Sequence, residues 1–158
     1  MAGGRIVVGV DGSAPSLKAL KWAARQAAAT GDTVQAVISW EYPASWATLM
    51  PGVPPEFDPE GLAEQILDET VSKALPPDQA AAVTLAVVGG NPSQALIDAA
   101  KGAELLVVGD RGRSGFKAAV LGSVSSNVSQ HAPCPVVVVR GTVPGIPDVD
   151  ETETEDEK

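Results

Sequence analysis

The chain has 158 residues and a mass of 16.1 kDa, a size that suits one domain with its own hydrophobic core. Hydrophobic residues make up 44% and aromatic residues only 4%, so we expect a globular fold with a core of small and β-branched side chains. No stretch approaches the ~20 apolar residues of a membrane-spanning helix, residues 1–5 lack the layout of a signal peptide, and the single cysteine, Cys134, excludes an internal disulfide. These features predict a cytoplasmic protein that does not enter a membrane.

The net charge of −9 is unevenly distributed. Residues 141–158 hold seven acids and one lysine, a net charge of −6, and no apolar residue follows Val149. We therefore expect one domain over residues 1–140 and an acidic, disordered tail over residues 141–158. Because phosphate neutralisation drives nucleic-acid affinity, an acidic protein without a basic face is not expected to bind nucleic acid.

Five short apolar runs predict β-strands. Three of them contain three or four consecutive apolar residues rather than alternating ones, which is typical of strands buried on both faces of a parallel sheet. The predicted strands are Arg5–Val10, Thr33–Trp40, Ala82–Val88, Glu104–Gly109 and Pro135–Arg140.

Four helices are predicted between these strands. The first is capped by Ser13 and ends at Gly31, the second covers Pro59–Leu75, the third begins at Asn91 or Pro92 and ends at Gly102, and the fourth runs from Gly122-Ser123 to His131. The apolar positions expected to face the core are, in the first helix, Leu17, Leu20, Ala24, Ala27 and Ala28, and in the second, Leu62, Ile66, Leu67 and Val71.

Alternating strands and helices predict a doubly wound α/β domain: an open, five-stranded parallel sheet with helices on both faces. Ligands of such folds bind beyond the carboxyl ends of the strands, where the strand order reverses. The proline-rich segment Glu41–Gly61 follows the second strand and would lie at this end. We expect it to be a lid or a dimer contact, or alternatively a surface loop held by its own aromatic residues.

The strongest chemical pattern follows the fourth strand. Gly109 and Gly112 allow a close approach of the backbone to a ligand or a positive φ. Gly122-Ser123 would begin a helix, whose amide groups and dipole favour an anion, and hydroxyl donors follow at Ser123, Ser125 and Ser126. Arg111, Arg113 and Lys117 supply positive charge between the two glycine pairs. The pattern predicts a phosphate site.

Other phosphate and catalytic patterns are absent from the sequence. It contains no G-x-x-x-x-G-K-[ST], and Val8–Ser13 does not match G-x-G-x-x-G. The glycines could alternatively serve only tight βα turns. His131 is expected to interact with a helix C-terminus and Cys134 to pack, rather than to act as a base or a nucleophile.

The pattern Gly109-x2-Gly112-x9-Gly122-Ser123 resembles the ATP-binding signature of the universal stress protein family. Residues 6–13 (IVVGVDGS) resemble the first strand of that family and the aspartate after it. Residues 121–128 (LGSVSSNV) and 132–139 (APCPVVVV) resemble its C-terminal block. The resemblance extends over about Arg5–Arg140.

The resemblance implies ATP as ligand together with Mg2+. By analogy with the family, Asp11, flanked by Val10, would contact the ribose and help to hold the magnesium ion. The main chain of Ser39 would bind the adenine edge, and Val108 and Gly109 would line the ribose and adenine side. The residues that would surround the phosphates are Arg111, Gly112, Gly122, Ser123, Val124 and Ser125.

The resemblance also implies a homodimer formed through the strand at Val136–Val139, and a regulatory role in the stress response. Because no water-activating base is evident beside the phosphates, at most slow ATP hydrolysis is expected. Two alternatives with the same fold are an interaction protein that binds no nucleotide and a protein that binds cyclic AMP. A flavin or NAD enzyme is a more distant alternative.

Overall fold

A computed structural model of the protein describes residues 3–41, 58–110 and 122–140. In these ranges the five predicted strands and the four predicted helices occur in the predicted order, with one additional short helix. The strands are β1 (Arg5–Gly9), β2 (Thr33–Trp40), β3 (Thr84–Gly89), β4 (Leu105–Gly109) and β5 (Val136–Val139). The helices are α1 (Ala14–Thr30), α2 (Pro59–Ala74), α3 (Pro77–Ala82), α4 (Pro92–Ala99) and α5 (Ser123–His131).

The five strands form one sheet in the order β3-β2-β1-β4-β5, and every neighbouring pair is parallel. Buried side chains of α1 and α2 pack in one apolar cluster with Ile6 and Val8 of β1. Leu96 of α4 and Val128 of α5 pack with Val7 in a second cluster on the opposite face. The predicted doubly wound α/β fold is therefore confirmed, and the strand order reverses between β1 and β4.

Short-range signals fix the ends of three helices. The Ser13 side chain caps α1 by accepting a hydrogen bond from Ser16 N, and Gly31 ends α1 with φ 79°. Asp58 and Asn91 cap α2 and α4 in the same way as Ser13 caps α1. These three helix starts are thus encoded locally, and they lie at the carboxyl end of the sheet.

Several details differ from the prediction. The short helix α3 was not predicted, and β3 begins at Thr84 rather than Ala82 because α3 includes that alanine. Ala28 is exposed, and Ala23 takes its place in the core of α1. Leu62 is 49% exposed although its position suits the apolar face of α2.

Part of the predicted long segment belongs to α2, which begins at Pro59 after the cap Asp58. Residues 42–57 of that segment, residues 111–121 and the predicted acidic tail 141–158 lie outside the described residues. None of the helices in the described ranges is long and apolar enough to span a bilayer.

Candidate functional site

A cavity of about 470 Å³ opens at the carboxyl end of the sheet, beside the reversal of strand order between β1 and β4. This size is typical of small-molecule sites. The carboxyl ends of β1, β2 and β4 line one part of it, and the N-terminal parts of α2 and α4 and the first turn of α5 line the rest. Its lining includes Gly9, Val10, Asp11, Ser39, Trp40, Glu41, Leu62, Ile66, Pro92, Leu96, Val108, Gly109, Gly122, Ser123, Val124 and Ser125.

The main chain of Ser39 is directed at the cavity because β2 extends beyond β1. Residues of a parallel strand alternate in the side to which they present their N–H and C=O groups. Val37 O accepts from Val10 N at 2.8 Å, on the β1 side, and Trp40 O accepts from Gly90 N at 2.8 Å, on the β3 side. Ser39 therefore presents its N–H and C=O to the β1 side, beyond the last β1 residue, and neither group has a partner among the described residues.

Asp11 lies in the turn that joins β1 to α1. Its Oδ1 accepts hydrogen bonds from Ser13 N, at 2.9 Å, and from Ser13 Oγ. The carboxylate thus stabilises the turn before α1, as an aspartate at a strand end commonly does. Among the described residues both bonds are made by Oδ1, so Oδ2 is available to a ligand in the cavity.

The start of α5 forms another wall of the cavity. Gly122 is its N-cap residue, with φ −63° and ψ 166°, and no side chain caps the helix. The first amide bonded within the helix is that of Ser126, which donates to Gly122 O at 2.9 Å. The amides of Ser123, Val124 and Ser125 precede it and carry the positive end of the helix dipole, a combination that favours an anion.

Gly109 has a packing role that differs from the predicted one. Among the described residues only Gly12, Gly31, Gly90 and Gly102 have a positive φ, so Gly109 is not needed for its backbone conformation. A Cβ atom at Gly109 would instead lie 2.8 Å from the backbone carbon and oxygen of Pro15. The glycine is required because α1 begins in direct contact with the end of β4.

The Ser125 side chain also differs from its predicted use. It is 4% exposed, and its hydroxyl donates to the carbonyl oxygen of Gly109. The prediction counted this hydroxyl among the donors to a phosphate. A serine hydroxyl has a single hydrogen, so in this arrangement only the Ser125 amide remains available as a donor.

Nine of the eleven residues predicted for the site line the cavity, although up to 115 positions separate them in sequence: Val10, Asp11, Ser39, Val108, Gly109, Gly122, Ser123, Val124 and Ser125. Arg111 and Gly112 lie outside the described residues, as do Arg113 and Lys117. Sequence reasoning missed the apolar walls formed by Ile66 of α2 and by Pro92 and Leu96 of α4. Their positions in the N-terminal parts of these helices are the available signal, because helices that follow parallel strands begin at the ligand-binding end.

Asp11 and Glu41 are the charged residues among the described lining. The described ranges contain no group of three or more His, Cys, Asp or Glu residues that could hold a metal by protein ligands alone. Mg2+ does not require such a group, since it is commonly bound by one or two carboxylates together with phosphate oxygens and water.

His131 and Cys134 lie away from this cavity lining. His131 is in the last turn of α5, where its Nδ1 lies 3.0 Å from Asn127 O. Burial raises the pKa of the Cys134 thiol, and the positive charge of Arg5 partly opposes that rise. The sequence places no basic residue beside Cys134; Arg5 approaches it only in the fold.

A doubly wound parallel sheet with a cavity at the reversal of strand order is one class of α/β domain, and comparison with known proteins identifies the family. The model of the universal stress protein family matches residues 4–140, so the chain belongs to that family. Universal stress proteins of Mycolicibacterium smegmatis and Mycobacterium tuberculosis are 32% and 33% identical to it over 145 and 142 residues. These alignments cover 86% and 85% of this chain but 48% and 44% of the relatives, so the chain spans about half the length of the curated relatives it matches.

Solved structures agree with this assignment. A universal stress protein in complex with cAMP has a TM-score of 0.61 and 30% identity, and the alignment covers 88% of this chain and 98% of that one. A universal stress protein from Archaeoglobus fulgidus in complex with dAMP has a TM-score of 0.56 and 26% identity, with 87% and 98% covered. A relative from Lactobacillus plantarum, at TM-score 0.69 and 21% identity over 89% and 99% of the chains, supports the fold alone.

Proposed function

We propose that this universal stress protein binds ATP with Mg2+ in the cavity and acts as a nucleotide-dependent regulatory protein that hydrolyses ATP slowly at most. The observation that carries the proposal is the convergence of Val10, Asp11, Ser39 and the start of α5 on one cavity. These residues come from three separate stretches of the chain and supply complementary chemistry for a base, a sugar and a phosphate.

The geometry of β2 supports a role for Ser39 in binding the base. Adenine carries a ring nitrogen that accepts a hydrogen bond beside an amino group that donates one, and Ser39 offers an N–H and a C=O on the same side of the strand. The apolar side chains of Ile66 and Leu96 on opposite walls suit the faces of an aromatic ring.

The uncapped start of α5 supports a role in binding phosphate. Three amides precede the first bonded amide of the helix, and the Ser123 hydroxyl lies beside them in the lining. Phosphate at such a helix end is stabilised by hydrogen bonds from the amides and by the dipole. Arg111 and Gly112, outside the described residues, keep the roles that the family resemblance implies.

Asp11 suits a magnesium ion that accompanies the nucleotide. Asp11 lines the cavity, its Oδ2 accepts no hydrogen bond from the described residues, and a hard oxygen ligand is the kind that Mg2+ prefers. A bound Mg2+ would neutralise phosphate charge beside the two lining carboxylates. Asp11 would hold it, while its Oδ1 keeps the turn before α1 in place.

Cyclic AMP is a second candidate ligand. A relative 30% identical to this chain is solved in complex with cAMP, and one 26% identical is solved with dAMP. The same base and sugar contacts would serve either nucleotide, and the difference would lie in the charge carried by the phosphates. Competition between ATP and cAMP, with and without Mg2+, separates the two: displacement of cAMP that depends on Mg2+ favours ATP.

We further propose a homodimer through Val136–Val139. This strand, β5, is an edge of the sheet, and three of its four valines are half-buried in the single chain. An unpaired apolar edge invites pairing with another strand. Sedimentation equilibrium of the chain and of a Val138→Pro variant tests this. Val138 presents its N–H to the side away from β4, so the variant keeps the ladder with β4 and is expected to be a monomer, and a dimer that persists would argue against β5 as the contact.

The first test of nucleotide binding is the identity of the bound molecule. The purified protein is denatured, and the released small molecules are analysed by mass spectrometry and anion-exchange chromatography. Calorimetric titration of the emptied protein with ATP and Mg2+ then compares the chain with Asp11→Asn. We expect the variant to lose most of the Mg2+ dependence of ATP affinity. A chain that carries no adenine nucleotide and gives no heat with added ATP or cAMP would favour an interaction protein.

A further inference from the structure

The hydroxyl of Ser125 links the start of α5 to the end of β4. It donates to Gly109 O and is 4% exposed, so the bond is shielded from water. Because this donation uses the single hydrogen of the hydroxyl, the side chain cannot at the same time donate to a phosphate. Ser125 therefore lies within the proposed phosphate site, but its side chain is bonded to the protein itself.

The acceptor of this bond is itself held in place from two other sides. Gly109 lies directly against Pro15 at the start of α1, where not even a methyl group would fit. The next residue, Asp110, donates its amide to Val139 O of β5 at 3.1 Å and accepts from Gly122 N at 2.8 Å. The end of β4 is therefore a fixed point on which α1, β5 and α5 converge.

The orientation of α5 determines where its free amides point. The helix has nine residues and no side-chain cap, so its own first turn contributes little to fixing its direction. The bonds from Gly122 N to Asp110 O and from Ser125 Oγ to Gly109 O attach that first turn to β4 at two points, three residues apart. Two attachments one turn apart restrict both the tilt and the rotation of the helix.

We propose that Ser125 is a positioning residue whose hydroxyl, by bonding to Gly109 O, aims the amides of Ser123 and Val124 at the phosphate without contacting the nucleotide through its own side chain. The proposal rests on the proposed nucleotide site and assigns to one residue of that site a different task. It predicts a loss that is selective for the phosphate part of the ligand, because the main chain of Ser39 is held by the pairing of β2 with β1 and β3 and not by the Ser125 hydroxyl.

The test compares ATP with adenosine, which shares the base and the sugar but lacks phosphate. Ser125→Ala is expected to weaken ATP binding about tenfold, equivalent to 1.4 kcal/mol, while adenosine affinity changes less than about twofold because its contacts remain. Ser125→Thr keeps the hydroxyl and is expected to restore ATP affinity to within about threefold. Ser125→Cys, which nearly preserves the volume but donates weakly, serves if the alanine variant does not fold, with a loss in the same direction as that of Ser125→Ala.

Ser129→Ala is the matched control. Ser129 lies one turn further along α5, and its hydroxyl donates to Ser125 O at 2.6 Å, within the helix. Its removal is expected to leave both affinities unchanged. Equal losses for ATP and adenosine in Ser125→Ala, or a threonine variant as weak as the alanine variant, would overturn the proposal. A parent chain that binds neither ATP nor adenosine would instead refute the proposed function, and this inference with it.

Discussion

The two ends of the same sheet differ in how completely side chains of the protein satisfy the polar main-chain groups. At the amino end, side chains of the protein satisfy them: Arg5 donates to Ala99 O at 2.7 Å and to Lys101 O at 2.8 Å, closing the end of α4. At the carboxyl end, Ser39 and the first turn of α5 keep main-chain donors and an acceptor without partners among the described residues. Since an unpaired polar group needs a partner in water or in a ligand, the difference agrees with a stabilising role of Arg5 at the amino end and with the proposed nucleotide site at the carboxyl end.

The largest expected effect is on nucleotide binding at the carboxyl end of the sheet. Gly122→Leu adds a neutral, bulky side chain at the start of α5, and φ −63° with ψ 166° is accessible to any residue, so the fold is retained. We expect ATP affinity to fall about 100-fold because the side chain occupies the space in front of the amides. Calorimetric titration measures the loss, and circular dichroism checks the fold. Gly122→Ala is the matched control, with a smaller loss; a leucine variant that binds ATP like the parent would show that the phosphate lies elsewhere.

The next largest effect is on the free energy of unfolding and comes from the amino end of the sheet. Arg5→Ala removes the donors to Ala99 O, to Lys101 O and to Gln35 Oε1, and we expect a loss of about 2 kcal/mol in the free energy of unfolding. Urea denaturation measures it, and ATP affinity is expected to be unchanged. Lys101→Ala is the control. Among the described residues the Lys101 side chain forms only an exposed ion pair with Asp98, and its removal is expected to cost less than about 0.5 kcal/mol. A drop in ATP affinity for Arg5→Ala would mean that the two ends are coupled.

A third variant sharpens the comparison by removing one main-chain N–H donor from the carboxyl end of the sheet. Ser39→Pro deletes an N–H that no described residue uses, so the ladder between β2 and β3 remains, whereas adenosine and ATP affinity are both expected to fall about tenfold. Ser39→Ala keeps the main chain and should bind within about twofold of the parent. If the alanine variant loses as much affinity as the proline variant, the side chain and not the main chain contacts the base.

The smallest expected effect concerns neither end. A chain that stops after Arg140 retains all five strands, and the sequence of residues 141–158 predicts no contribution to the core. We expect its free energy of unfolding to stay within about 0.5 kcal/mol of that of the full chain. Thermal unfolding followed by calorimetry measures the difference, and a markedly lower melting temperature would mean that the acidic residues pack against the domain.

Structural features that depend on residues close together in the sequence were predicted well. Strand runs such as residues 105–109, the cap at Ser13 and the stop at Gly31 are local signals, and the structure confirms them. The helix α3 escaped prediction because none of its residues is buried and its six positions show no periodicity. Choosing between Ala23 and Ala28 required the exact angle at which α1 meets the sheet, which no residue of α1 encodes by itself.

The sequence predicted which residues line the candidate site better than it predicted the role of each residue. Motif spacing and family resemblance predicted that Asp11, Ser39 and Gly122 share one site, and all three line the cavity. The tasks of Gly109 and Ser125 depend on contacts with Pro15 and with each other, across 94 and 16 positions, and such contacts leave no mark in a local pattern. The role of Arg5 at the opposite end was missed for the same reason, since its acceptor in α4 lies 94 residues away.

Strand β2 continues for three residues beyond the one that pairs with the end of β1, so the sheet has a notch one strand wide at its ligand-binding end. In the proposed nucleotide complex, a base that bonds to Ser39 would occupy this notch and extend the hydrogen-bonding pattern of the sheet. Any ligand that binds only the folded chain adds to its stability, by about 2.7 kcal/mol at a concentration 100 times its dissociation constant. Under the proposed function, the free energy of unfolding of this protein would therefore increase with the concentration of the nucleotide that it binds.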